Sequence, residues 1–277
     1  MSESRPGPVP VAPTRGSVPL EGHAGAPVLV LGDSLGTSAA VWDRQVPALR
    51  EQFRLLRYEL PGHGGTAAAP GPYTIAGLGA GVLALLDSLG VERAAYCGIS
   101  LGGMIGMWLA AHAPARVSAL GLVCTSAYLP PAESWRARAQ QVRAAGLAAI
   151  SGAVVGRWFT PAFAAAVPQV VARFRDEFER TDPAGYAACC EAIAAMDLRD
   201  QLGRITAPTL VLAGADDPAT PPDHAAVIAG FVPGAELQVI PDAAHLAPIE
   251  AADAVTAALS GHLRAAAGSG DACGSGR

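Results

Sequence analysis

Ala94-Ala95-Tyr96-Cys97-Gly98-Ile99-Ser100-Leu101-Gly102-Gly103-Met104-Ile105-Gly106-Met107-Trp108-Leu109-Ala110 is the stretch that decides the fold. A short apolar run of strand type, Ala94 to Cys97, leads into Gly98-Ile99-Ser100-Leu101-Gly102, and a helical run follows from Gly103. Gly-x-Ser-x-Gly between a strand and a helix is the pattern of a nucleophile elbow. Its glycines let the chain turn sharply, so that a strained serine holds its hydroxyl above the sheet. The amides that open the following helix then face any negative charge developing beside that serine.

Outward from the elbow the same alternation continues. Val28 to Leu31, Phe53 to Tyr58, Val117 to Cys124, Thr209 to Ala213 and Glu236 to Ile240 read as short buried strands. Between them lie helical stretches such as Ile75 to Leu89, with Leu78, Val82, Leu85, Leu86 and Leu89 on one face, and Ile249 to Arg264 closes the series. Strands alternating with helices predict an α/β fold: a mostly parallel sheet with helices on both faces. Residues 28–125 and 209–264 form this core.

Residues 126–208 interrupt the rhythm. They read as helical throughout, with runs at Arg138 to Ile150 and Val170 to Arg180 broken by Pro161, Pro168 and Pro183, and so predict a helical lid inserted in the sheet. Residues 1–27 are Pro/Gly-rich. Two short edge strands, Val9 to Val11 and Val18 to Leu20, fit there against Pro6, Pro8, Pro10, Pro13 and Pro19; counting both, the lid follows the sixth strand. Residues 265–277 have the composition of a flexible linker.

A serine hydroxyl needs a base, and the base needs an orienting carboxylate; on this fold the chain order is Ser, Asp or Glu, His. Downstream of Ser100 the histidines are His112, His224, His245 and His262. Only His245 falls in a loop just after the final strand, at the C-terminal strand ends where α/β sites form. The acid belongs after the preceding strand, where Asp216 and Asp217 are adjacent; Asp217 is taken as the partner and Asp216 as a turn residue. The two N–H donors for an oxyanion are assigned to Leu101, next to the nucleophile, and to Ser34, in the loop after the first core strand. His63, in a glycine-flanked turn before the serine, is assigned a structural role.

Composition removes competing chemistries. The 277 residues are 51% hydrophobic, enough for a substantial core, and all 19 basic residues are arginine. Without lysine there is no Schiff base, no P-loop lysine and no Ser-x-x-Lys acyl enzyme. A net charge of −5 with scattered arginines gives no phosphate-binding stripe, so no nucleic-acid partner is expected. The five cysteines show no metal or disulfide spacing. With no signal-peptide pattern and no long apolar run, no membrane partner is expected and the location is read as cytoplasmic.

Taken together, Gly32-Asp33-Ser34-Leu35-Gly36-Thr37 with Trp42-Asp43, Pro61-Gly62-His63-Gly64, Gly98 to Met104 and Gly214 to Pro222 resemble the α/β-hydrolase superfamily. Within it the chain most resembles the 3-oxoadipate enol-lactonases, including the segments Trp158 to Phe163 and Gly185 to Ile193. The resemblance covers roughly Ala26 to Arg264 and implies a five-membered enol-lactone with an acetate arm, opened by water to 3-oxoadipate in aromatic catabolism, with no cofactor. The substrate's carboxylate needs a cation from the lid. Arg136, Arg138, Arg143 and Arg157 are the candidates, and Arg138 beside Trp135 is favoured as the substrate-binding pair. The chain departs from the family at Asp33, Glu59, Pro61 and the run after His245. The alternatives on the same scaffold are another ester, thioester or lactone hydrolase and a non-catalytic small-molecule binder.

Overall fold

The computed structural model describes residues 20–271. Six strands, β1 (Val28–Gly32), β2 (Arg54–Arg57), β3 (Ala94–Ile99), β4 (Val117–Val123), β5 (Thr209–Gly214) and β6 (Glu236–Ile240), form one sheet in the order β2-β1-β3-β4-β5-β6. Every neighbouring pair is parallel. The chain steps outward from β1 to β2, then crosses back to β3 on the other side of β1. Loops leaving β1 and β3 therefore diverge, and the crevice of a parallel sheet opens there, beyond the carboxyl ends of the strands.

Among the described residues, eleven α-helices accompany the sheet: α1 (Val46–Leu49), α2 (Ile75–Ser88), α3 (Leu101–His112), α4 (Ala132–Ala145), α5 (Ser151–Val155), α6 (Pro161–Ala166), α7 (Pro168–Glu179), α8 (Pro183–Ala194), α9 (Pro222–Phe231), α10 (Ala247–Glu250) and α11 (Ala252–Asp271). A Cβ on Gly106 of α3 would meet Tyr96 and Leu120, whereas one on Gly121 would meet Cys97 and Leu259 of α11. Adjacent strand residues point to opposite faces, so α3 and α11 cover the two sides of the sheet. Strands β1 and β3 are buried along their whole length and read as unbroken apolar runs for that reason.

Between β4 and β5 the chain forms the helical insert, in which α4 packs along α8. An antiparallel bridge between Tyr128 and Asp197 and a 2.9 Å bond from Leu198 N–H to Ala127 O close its base. The insert is thus narrower than 126–208: the 3-10 turn Arg199–Arg204 packs on α3 and α9 of the core. Pro161, Pro168 and Pro183 do not merely break helices. Each is the first residue of one, where a missing N–H costs nothing, and Thr160 and Asp182 cap two of these starts.

The insert follows the fourth strand of the described sheet, the one counted as sixth when the two expected edge strands are included. The edge strands expected at 9–11 and 18–20 fall outside the described residues but for Leu20, after which Glu21 makes a single antiparallel bridge to Leu55. The last helix does not stop near Arg264: α11 continues to Asp271, so residues 265–271 are helical and only 272–277 lie beyond description. Alanine at 265–267 extends the helix that Val255, Leu259 and Leu263 anchor to the core.

Candidate active site

Ser100 sits between β3 and α3 with φ 53° and ψ −115°, a conformation that L side chains rarely adopt. Its surroundings hold it there. Its N–H donates to Val123 O at 3.0 Å, and its carbonyl accepts from Met104 N–H at 3.0 Å and from the Thr125 hydroxyl at 2.6 Å. The motif glycines are required by close approach: a Cβ on Gly98 would lie 2.3 Å from the Gly102 carbonyl, and one on Gly102 would lie 2.5 Å from the Gly32 carbonyl. That second approach brings the β1 loop against the elbow, where Gly102 N–H donates to Asp33 O at 2.8 Å.

Leu101 opens α3, so its N–H belongs to the first turn, whose donors have no acceptor inside the helix. Ser34 lies two residues beyond β1 and lines the same cavity as Ser100. The loop that carries it is tied down by Trp42 Nε1–H on Gly32 O at 3.1 Å and by Ala39 N–H on the Glu59 carboxylate at 3.1 Å.

His245 and Asp217 come from the loops after β6 and β5, and both are buried. His245 Nδ1 lies 2.8 Å from Asp217 Oδ2. Asp217 also accepts from Ala219 N–H at 2.8 Å, Thr220 N–H at 3.0 Å and the Thr220 hydroxyl at 2.7 Å. Burial pushes the Asp217 carboxyl up, but the facing His245 and these hydrogen bonds outweigh it and hold the group well below the usual carboxylate range. An ionised Asp217 only accepts, so Nδ1 carries the hydrogen and Nε2 is left as the basic nitrogen. Asp216 is exposed.

The other histidines stay apart. His112 stacks on Trp108, with ring centroids 4.7 Å apart, and bonds its carbonyl. His63 is fully buried, with Nδ1 3.1 Å from Pro61 O, and burial lowers its pKa to about 4.

Ser34, Ser100 and His245 line one cavity, roofed by the insert through Trp135, Arg138, Arg157, Trp158 and Tyr186. The cavity measures about 60 Å³, above the roughly 10–15 Å³ below which not even one water fits. Of the four candidate arginines, Arg136 pairs with Glu133 and Arg143 with Glu191. Arg138 lies over the Trp135 ring, 4.5 Å from its centroid. Burial, then the neighbouring Arg138, pull the Arg157 guanidinium down, though an arginine remains charged. The Tyr186 hydroxyl is buried, with the Arg138 and Arg157 guanidiniums beside it.

The sequence reading placed Arg157 behind Arg138 and did not single out Tyr186 or Thr220. The Asp217-x-x-Thr220 spacing is a local signal for Thr220, since it is the geometry of an Asx turn; Tyr186 has no local signal. Among the described residues no group of side chains could hold a metal ion, and no helix is long and apolar enough to cross a membrane.

A family model described as the alpha/beta hydrolase fold matches residues 27–252. Among curated proteins, the chain is 37% identical over 243 residues to 3-oxoadipate enol-lactonase 2 of Acinetobacter baylyi, covering 88% of this chain and 91% of that one. Among solved structures, the enol-lactonase from Burkholderia xenovorans LB400 is similar with a TM-score of 0.86 and 41% identity, over 88% of this chain and 94% of that one. A hydrolase from Pseudomonas aeruginosa PA01 is similar with a TM-score of 0.85 and 44% identity, over 88% and 92%.

Proposed function

The chain belongs to the α/β-hydrolase fold family, and on that footing we propose that it is a serine hydrolase opening a small carboxylated enol-lactone, of the 3-oxoadipate enol-lactone type. Ser100 Oγ attacks the lactone carbonyl while His245 Nε2 takes its proton, and Asp217 stabilises the imidazolium that results. Leu101 N–H and Ser34 N–H receive the oxyanion. When the tetrahedral carbon collapses, the ring C–O bond breaks and His245 returns its proton to the departing enol oxygen, which tautomerises to the ketone. A water activated by His245 then releases the acyl group from Ser100.

The observation that carries the substrate class is the composition of one cavity wall: Ser100 and His245 on the core side, Arg138 and Arg157 on the insert. Neither guanidinium is ion-paired among the described residues, so a substrate carboxylate can be met by two unneutralised cations. The relatives named enol-lactonase agree with this reading.

The test is Arg138→Ala and Arg157→Ala, assayed on the carboxylated lactone and on an uncharged p-nitrophenyl ester. Losing a charged hydrogen bond predicts a roughly 10- to 100-fold rise in KM for the lactone, with the ester little affected. An unchanged lactone KM in both variants would remove the carboxylate from the proposal and leave a hydrolase of uncharged esters.

A further inference from the structure

We infer that Glu250 is a positioning residue that couples seating of the insert to alignment of His245, an inference that rests on the Ser100, His245 and Asp217 reading above. Glu250 ends α10, five residues beyond the histidine. Its Oε2 accepts the N–H of Ala244, the residue just before His245, at 2.9 Å. Its Oε1 accepts Thr160 N–H at 3.0 Å and the Thr160 hydroxyl as well. Thr160 belongs to the insert, where its hydroxyl caps α6. On the other side of the histidine, Leu246 N–H donates to Trp158 O at 2.9 Å.

Both peptide neighbours of His245 are thereby held by the same short piece of the insert, one through Glu250 and one directly. That piece is also part of the substrate cavity, since Trp158 lines it and packs edge-on against Phe178 of α7 at 5.6 Å between centroids. Further core contacts reach the loop's carbonyls, through Asp216 N–H on Ala243 O at 2.9 Å and the Cys124 thiol near Ala244 O. Asp217 fixes the ring of His245, while of the two N–H groups flanking it Leu246's goes directly to the insert and Ala244's goes to Glu250, which Thr160 of the insert holds. Displacing segment 158–160 from the cavity would pull on the Ala244 and Leu246 amides together and move Nε2 away from Ser100. Because a shift of about 1 Å at a proton-transfer site can cost on the order of a hundredfold in rate, proton transfer is efficient only with the insert seated over the cavity.

The experiment compares wild type with Glu250→Ala, Glu250→Gln, Thr160→Val and the double variant Glu250→Ala/Thr160→Val. Hydrolysis of p-nitrophenyl acetate and of the lactone is followed well below each variant's melting temperature. Glu250→Ala is expected to lower kcat by roughly 10- to 100-fold on both substrates with KM nearly unchanged. Glu250→Gln, which keeps an acceptor oxygen, is expected to recover part of that loss. The double variant should be no slower than Glu250→Ala, because the hydroxyl bond that Thr160→Val removes ends on the carboxylate that Glu250→Ala already removes.

A folded Glu250→Ala with wild-type kcat would overturn the inference, and so would losses that multiply in the double variant. If Glu250→Ala does not fold, Glu250→Gln decides, because its amide nitrogen cannot accept one of the two N–H groups that the carboxylate joins: a several-fold fall in kcat supports the coupling and an unchanged kcat refutes it. Ser100→Ala is run alongside. Ester hydrolysis surviving in that variant overturns the Ser100 reading itself rather than the role of Glu250.

Discussion

Asp33 and Asp217 are both buried aspartates beside the site, and their surroundings drive them in opposite directions. Neither carboxyl oxygen of Asp33 has a hydrogen-bond partner in ordinary geometry among the described residues. Burial, and then the facing Glu59 carboxylate, push its pKa well above the usual value. An unfolded Asp titrates near 3.9, so above that pH the folded chain retains a proton that the unfolded chain has lost, and stability falls as pH rises. Asp33→Asn removes this cost. Its melting temperature should exceed that of the wild type, by more at pH 8 than at pH 5; a gap that narrows with rising pH would contradict the assignment. Asp217 has the reverse sign: its depressed pKa adds stability above the unfolded value, which is lost as pH falls below it. A single extra ring of donors, from His245, Ala219 and Thr220, makes the difference.

At the scale of elements, the elbow is the most demanding piece of the chain. Gly98 and Gly102 are fixed by backbone approaches of 2.3 and 2.5 Å that no side chain can share. Gly98→Ala must therefore move α3 against β3, at a cost of about 1–3 kcal/mol, and a thermal melt should show a drop of several degrees. A melting temperature within a degree of wild type would mean that the approach relaxes freely. These local constraints are why the elbow, the strand cores and the chain order of Ser100, Asp217 and His245 can be read from the sequence. What stays hidden joins distant elements. Thr160 and Glu250 meet across 90 residues, and nothing near Tyr186 announces that its ring reaches the cavity. Helix ends were equally hard to read: prolines expected to interrupt the insert begin its helices, and a linker-like composition near 265 is compatible with helix once Leu259 and Leu263 anchor the turns before it.

For the whole molecule, the strand order places the elbow with Ser100 and the β1 loop with Ser34 on either side of one crevice. The two later loops then bring Asp217 and His245 to its rim. The insert closes that crevice and supplies its arginines, so in the proposed reaction the core sets the reaction type and the insert sets which acyl group is accepted. The alternation of strands and helices revealed the core. The number of strands before the insert was not legible, because a Pro-rich stretch does not specify whether it pairs with an edge. The most direct test of the account follows the absorbance of the carboxylated enol-lactone after addition of purified protein, with Ser100→Ala and a p-nitrophenyl ester in parallel. The account predicts fast lactone opening, slow ester cleavage, and loss of both by roughly five to six orders of magnitude in Ser100→Ala. Lactone opening that survives Ser100→Ala, or an untouched lactone beside a cleaved ester, would contradict it.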